Sequence, residues 1–161
     1  MAKFSAYCLV LFIMFSCDSK SIYSEYKSIS NSWGKDEKIT FQFKAPDSVQ
    51  PYNIFVNLRN NEEYKYSNLF LIVNLDFPDN ETITDTLEYM MAEPNGEWLG
   101  KGFSSLKESK LWYKENVVFP RNGEYKITVE QAMRKVGSVE GIQELDGITD
   151  IGIKIEKANK E

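Results

Sequence analysis

Any chemistry in this chain must be done without histidine, which is absent. It must also be done almost without thiols, because both cysteines, Cys8 and Cys17, lie in the first seventeen of 161 residues. A Ser-His-Asp triad and a Cys-His pair are therefore excluded. So is a zinc site built on His or Cys in the body of the chain. Carboxylates, Tyr, Lys and hydroxyls remain. Glu97 and Glu115 are the pair to weigh as acid and base of a glycosidase. That chemistry needs carboxylates about 5–9 Å apart, and nothing in their spacing brings them together. Asp146 and Asp150, with Asp76 or Glu144, offer oxygens to Ca²⁺. Calcium takes about six to eight oxygens, and no calcium-loop spacing is present. Gly100-Lys101-Gly102 lacks the spacing of a phosphate-binding loop. The expectation is a protein that is not an enzyme, holds no metal and uses no cofactor.

Cys17 is the residue placed for covalent modification. Met1 to Lys3 is a short positive start, and Phe4 to Phe15 is apolar apart from Ser5. That run is too short for a spanning helix, which needs about 20 residues, and it fits the apolar region of a secretory signal peptide. Ser16 and Cys17 follow at once. A small residue before a cysteine at this place resembles the bacterial lipobox, with Met14 and Phe15 standing where Leu and a small residue are commoner. Cleavage before Cys17 leaves it as the N-terminus, where two acyl chains anchor stably and one is marginal. The segment 1–16 is thus expected to be a lipoprotein signal peptide, which also discards Cys8. Residues 17–35 are expected to be the lipidated cysteine and a polar tether, because Asp18 to Asn31 is polar and has no sustained period. The formal charge of −5 argues against nucleic acid and against a polybasic membrane patch.

The elements that carry the rest are strands. Ile39, Phe41 and Phe43 alternate with polar residues, and so do Ile54, Val56 and Leu58. Leu69 to Phe77 starts apolar on both faces and reads as a central strand. Thr82 to Met91, Leu111 to Phe119, Glu124 to Gln131 and Ile148 to Ile155 complete the set. Asn60-Asn61, Pro78-Asp79-Asn80 and Pro120-Arg121-Asn122-Gly123 are turn signals. The segment from Glu130 to Lys135 offers at most a turn or two of helix. About seven or eight strands joined by tight turns predict one all-β domain over 36–157, an antiparallel β-sandwich, either jelly-roll or immunoglobulin-like, with a tail at 158–161. Arg59-Asn60-Asn61 reads as a hairpin turn. The longest irregular stretch, Glu93 to Lys110, holds Trp98 and Leu99 between glycines. Trp98, Leu99 and Trp112 form the candidate partner surface. Trp98 is favoured, whereas Trp112, at a strand start, reads as packing.

Six segments are familiar together and in order. They are Tyr52 to Asn61, Ser67 to Leu71, Asp85 to Tyr89, Pro94 to Gly102, Leu111 to Asn116 and Gly147 to Asp150. With the lipobox they resemble the GldH gliding-motility lipoprotein family of Bacteroidota, from the lipobox to about Lys157. The resemblance implies a lipid-anchored envelope protein of the gliding machinery, tied to type IX secretion. It would face the periplasm from the inner or outer membrane and act by contact with sister lipoproteins and other envelope proteins. It implies no catalytic residues. Exported proteins of that phylum are O-glycosylated at Asp-Ser/Thr-apolar triplets, which makes Ser48 and Thr86 candidate acceptors. Ser48, between Pro46 and Pro51, is the better placed, because Thr86 falls within a predicted strand. The rival reading is a carbohydrate-binding β-sandwich lipoprotein.

Overall fold

Period-two alternation puts the apolar side chains of each strand on one face, and two such faces close on each other. The computed structural model describes residues 21–45 and 48–159. Its strands are β1 (Ser21–Ser28), β2 (Ser32–Gly34), β3 (Ile39–Lys44), β4 (Tyr52–Asn60), β5 (Asn68–Asp76), β6 (Thr82–Met90), β7 (Lys107–Val117), β8 (Glu124–Gln131), β9 (Glu144–Asp146) and β10 (Ile148–Lys157). One sheet runs β1-β10-β4-β7 and the other β3-β8-β5-β6, with β2-β9 as a short ribbon. Every pairing is antiparallel. Apart from the ribbon, only β5 and β6 are consecutive strands that pair, and every other link between long strands crosses between the sheets. This is the jelly-roll form of the sandwich, which pattern alone left open.

The seven strands expected from alternation are all present. Their inward residues make the core: Ile54, Val56, Leu69, Leu71, Val73, Ile127, Val129, Ile151, Ile153 and Ile155 are fully buried. An aromatic cluster closes one end, where Phe119 lies 5.5 Å from Phe43 and 5.0 Å from Tyr125. Trp33 closes the other. It is 0% exposed and donates its indole N–H to the Glu37 carbonyl at 2.9 Å.

Trp33 lies in the segment expected to be tether, and there the reading needs correction. Residues 21–28 pair along β10, and residues 32–34 pair with β9. The polar composition of β1 has a physical cause. Its register puts Tyr23, Glu25 and Lys27 on the inward side, opposite Ile155, Ile153 and Ile151. Because β1 is an edge strand, those positions reach the rim. Lys27 sets its ammonium 5.4 Å from the Phe41 ring centre and donates to the Thr40 carbonyl at 2.6 Å. A second correction concerns Arg59-Asn60-Asn61, which is no hairpin turn. Arg59 and Asn60 still pair within β4, and the chain then crosses to β5 in the other sheet. The segment from Glu130 to Lys135 forms the end of β8 and a bridge between Arg134 and Gly141. No helix of the described residues is long and apolar enough to cross a membrane.

Candidate functional site

Polar chemistry collects on the outer face of the β1-β10-β4-β7 sheet. The pairing register brings Tyr26, Gly152, Asn57 and Lys110 into one row across all four strands. Gly152 lets this happen. A Cβ there would stand 2.7 Å from Cδ1 of Tyr26, so the ring lies directly on the glycine. The Tyr26 hydroxyl accepts from Asn57 Nδ2 at 2.7 Å and donates to Glu108 Oε1 at 2.9 Å. Arg59 donates to the other Glu108 oxygen at 2.7 Å and stacks 4.3 Å from the Tyr26 ring centre. Burial, and then the Glu108 carboxylate, push the Tyr26 phenol above its ordinary value, against the opposing effects of Asn57 and Arg59. Asn57 is 2% exposed and its Oδ1 has no hydrogen-bond partner among the described residues.

Beside this network lies an aromatic pair. The Phe55 and Trp112 rings are 4.4 Å apart, and Phe55 is buried while Trp112 is 52% exposed. Lys110 sits 3.9 Å over Phe55 and pairs with Glu156 at 2.7 Å. Lys154 reaches the same carboxylate at 2.9 Å. Burial works against the Glu156 charge, yet these two ammoniums hold the carboxyl below its ordinary value. Asn53, Phe55, Lys110, Trp112 and Glu156 rim a hollow of about 230 Å³.

The residues singled out from sequence fall as follows. Cys17 lies outside the described residues. Ser48 is exposed in a bend, and its neighbour Asp47 lies outside the described residues. Thr86 is exposed on the edge strand β6. Trp98 is half-buried, 6.0 Å from Tyr64 and packed against the core, so it is not the exposed member of its loop. Leu99 is 45% exposed. The two tryptophans thus exchange roles. Trp112 is on the outward side of β7 because it pairs with Phe55, whereas Trp98 is held by a bridge to Ala92. The four carboxylates weighed for calcium are dispersed. Asp76 meets Lys126, Asp150 takes the Ser28 and Thr149 hydroxyls, and Glu144 and Asp146 share the Ser32 hydroxyl. Among the described residues no group of three or more acidic side chains is placed to hold a metal ion. Glu97 lies in the turn after β6 and Glu115 is on β7, both exposed.

Tyr26, Asn57, Arg59 and Glu108 were not found by sequence reasoning. One signal was available. Along β4 the outward positions read Asn53, Phe55, Asn57, Arg59, and an aromatic among amides on a solvent side asks for a cover.

A jelly-roll sandwich that carries a polar network and an exposed aromatic pair on the outer face of one sheet belongs to the class of antiparallel β-sandwich domains. The family model of the GldH lipoprotein matches residues 21–155, and this chain belongs to that family of gliding-motility lipoproteins. It is 54% identical over 160 residues to the gliding motility lipoprotein GldH homolog of Christiangramia forsetii, covering 98% of each chain. It is 48% identical over 149 residues to the gliding motility lipoprotein GldH of Flavobacterium johnsoniae, covering 92% of each. Among solved structures, the VP2 subviral particle of infectious bursal disease virus aligns over 87% of this chain and 39% of its own, at 14% identity. Its TM-score of 0.35 gives that likeness no weight.

Proposed function

We propose that this protein is a lipid-anchored component of the gliding-motility machinery. It is held in the envelope by acyl chains on Cys17, faces the periplasm, and works with the type IX secretion apparatus through protein contacts. The observation that carries the contact reading is the exposed Trp112, stacked on the buried Phe55 and bordered by the Lys110–Glu156 pair. A rigid aromatic on a flat, ordered face is the composition of an interface hot spot. Trp112→Ala in the native host should abolish or strongly reduce colony spreading while the purified domain keeps its melting temperature. Normal spreading would overturn this assignment. Cys17→Ala should release the protein from the membrane fraction or leave it unprocessed, since two acyl chains anchor stably and no helix among the described residues is long and apolar enough to cross a membrane. Full processing and full membrane retention would overturn the anchor.

One observation favours a second reading. The hollow beside Trp112 combines an aromatic face with Asn53, Lys110 and Glu156, the group types that hold a sugar ring. Quenching of Trp112 fluorescence by an oligosaccharide panel, lost in Trp112→Ala, would favour it over the contact reading.

A further inference from the structure

We propose that β6 is a docking edge, at which an extended segment of a partner protein adds as a fifth strand to the β3-β8-β5-β6 sheet and seats a large apolar side chain in the groove beyond Met90. This deepens the contact reading above and rests on it.

Backbone parity identifies the edge. The hairpin between β5 and β6 is bracketed by two bonds, Phe77 N–H to the Glu81 carbonyl at 2.8 Å and Met91 N–H to the Ser67 carbonyl at 2.7 Å. The register between them is unbroken. Bonded and non-bonded pairs alternate in an antiparallel ladder. Ile83, Asp85, Leu87 and Tyr89 therefore bond to β5, and the N–H and C=O of Thr84, Thr86 and Glu88 point away from it. No hydrogen bond among the described residues uses those outward groups.

The other edges are blunted. β1 is irregular between Ser21 and Tyr23. On β3, Lys27 occupies the Thr40 carbonyl. On β7, the Trp112 carbonyl accepts from Tyr89, and Glu108 pairs with Lys101. By contrast β6 has no Pro, Lys or bulge, three of the usual guards of an edge, and its inward charge, Asp85, is already paired with Lys114 at 2.8 Å. Its outer face is locked to β5 by Thr82–Asp76, Thr84–Asn74 and Asn68–Glu88 hydrogen bonds. A rigid template loses little order when a strand joins it.

The groove supplies the second half of the site. It measures about 710 Å³ and lies at the Met90 end of β6, against the edge of β7, with Met90, Leu99 and Leu111 among its lining. Met90 is 62% exposed. Lys101 on its rim has no ion-pair partner among the described residues. The chemistry asked of the partner is an extended segment with a large apolar residue and an acidic one beside it. A second copy fits less well. Antiparallel pairing of β6 with its copy would lay the Asp79-Asn80-Glu81 turn over the apolar groove.

The test uses the full-length chain in its native host, with photoactivatable benzoylphenylalanine replacing Thr84 or Glu88 in turn. Both probes should link one partner protein, at sites about four residues apart, since paired strands advance in step. Thr86→Pro should lower both yields about tenfold or more. It removes an outward N–H and leaves the ladder to β5 intact. Thr86→Val, which keeps the N–H and loses only the hydroxyl, should leave the yields unchanged. If purified Thr86→Pro fails to fold, Leu99→Arg decides, because its exposed position spares the core and should lower the yields about tenfold. Links scattered without register, links to a second copy, or unchanged yields in the folded Pro variant would overturn the proposal. A partner linked from position 112 but not from 84 or 88 would also overturn it while leaving the contact reading standing.

Discussion

Tyr26→Phe deletes one oxygen from the outer face of the β1-β10-β4-β7 sheet, and the structure sets the size of the effect. The hydroxyl donates to a carboxylate at 2.9 Å, a charge-assisted bond of about 1.5–3 kcal/mol when well buried. Tyr26 is half-buried and Glu108 keeps its bond to Arg59 at 2.7 Å, so the lower end applies. The other partner suffers more. Asn57 is 2% exposed, its carbonyl oxygen is already unpartnered, and Tyr26 holds its Nδ2. Leaving that buried donor unmet costs about 1–3 kcal/mol. The phenyl ring still covers Gly152 and still receives Arg59, so packing is kept. A loss of about 2 kcal/mol follows.

With a urea slope of about 2 kcal/mol/M for a domain of this size, the midpoint should fall by about 1 M. Fluorescence-monitored urea unfolding of the purified domain measures it. Combining Tyr26→Phe with Asn57→Leu should recover part of the loss, because removing both partners leaves no stranded group. A change below about 0.5 kcal/mol, with no coupling in the double-mutant cycle, would mean that the Tyr26 hydroxyl does not hold Asn57 and Glu108 in solution. Residues 21–28 would then behave in solution as the tether that their composition suggested.

Other positions make sharper or simpler tests. Gly147 has φ +85°, and a Cβ there would stand 2.0 Å from the Tyr64 backbone nitrogen, so Gly147→Ala should cost about 3 kcal/mol or more, read as a lost or much lowered thermal transition. Trp98→Ala should cost about 2–3 kcal/mol of stability, less than a fully buried aromatic, because Trp98 packs half-buried on Tyr64; an unchanged melt would return it to the contact surface. The carboxyl of Asp76 is held below its ordinary 3.8 by Lys126 and then Thr82. Its contribution is therefore present above that value and lost as pH falls below it, and Asp76→Asn should flatten the urea midpoint between pH 5 and about 2. At the other extreme, burial and then Asp85 push the Tyr89 phenol up to about 12, so its contribution is complete below pH 10 and fades as pH rises through 12. Ser48 should carry a glycan in the native host, seen as a mass difference from protein made in a heterologous host and removed by Ser48→Ala.

What was legible in the sequence was alternation with one wet side. Strands β3, β4, β5, β8 and β10 bury Ile, Val, Leu and Phe against the opposite sheet, and such strands announce themselves. Strand β1 does not, because its inward positions Tyr23, Glu25 and Lys27 meet the rim of the sandwich and need only be long, not apolar. The ribbon β2-β9 is three residues a side, shorter than any period can register. The outer-face network escaped for a related reason. It depends on which residue of β1 lies over Gly152, and that is a matter of register between strands more than 120 positions apart in sequence. The exchange between Trp98 and Trp112 has the same origin, since loop length said nothing about the bridge that pins Trp98 to Ala92.

Correcting the tether changes how the domain would sit on a membrane. If acyl chains on Cys17 provide the anchor, four residue steps separate it from Ser21, the first residue of β1. At about 3.6 Å each these span at most about 14 Å. The domain would then stand close to the bilayer, with a definite end toward it. Ser21 pairs with Glu156, and β4 sets Tyr52 opposite Lys157 at that same end. The aromatic cluster joins Tyr52 through Phe119 to Phe43 and Tyr125, and Tyr125 to Phe77. The Phe77–Glu81 turn therefore shares the near end, and the hollow beside Trp112, Glu156 and Lys157 lies toward it. The far end holds Trp33, the Tyr64–Trp98 contact and the groove beyond Met90. Strand β6 runs from the near end to the far end, since Thr82 follows the turn and Met90 lines the groove. A strand added there would stand upright on the membrane with its apolar anchor at the top, within reach of a partner spanning the periplasm. A link of four residue steps narrows the orientations open to the domain far more than a tether running to residue 35 would have.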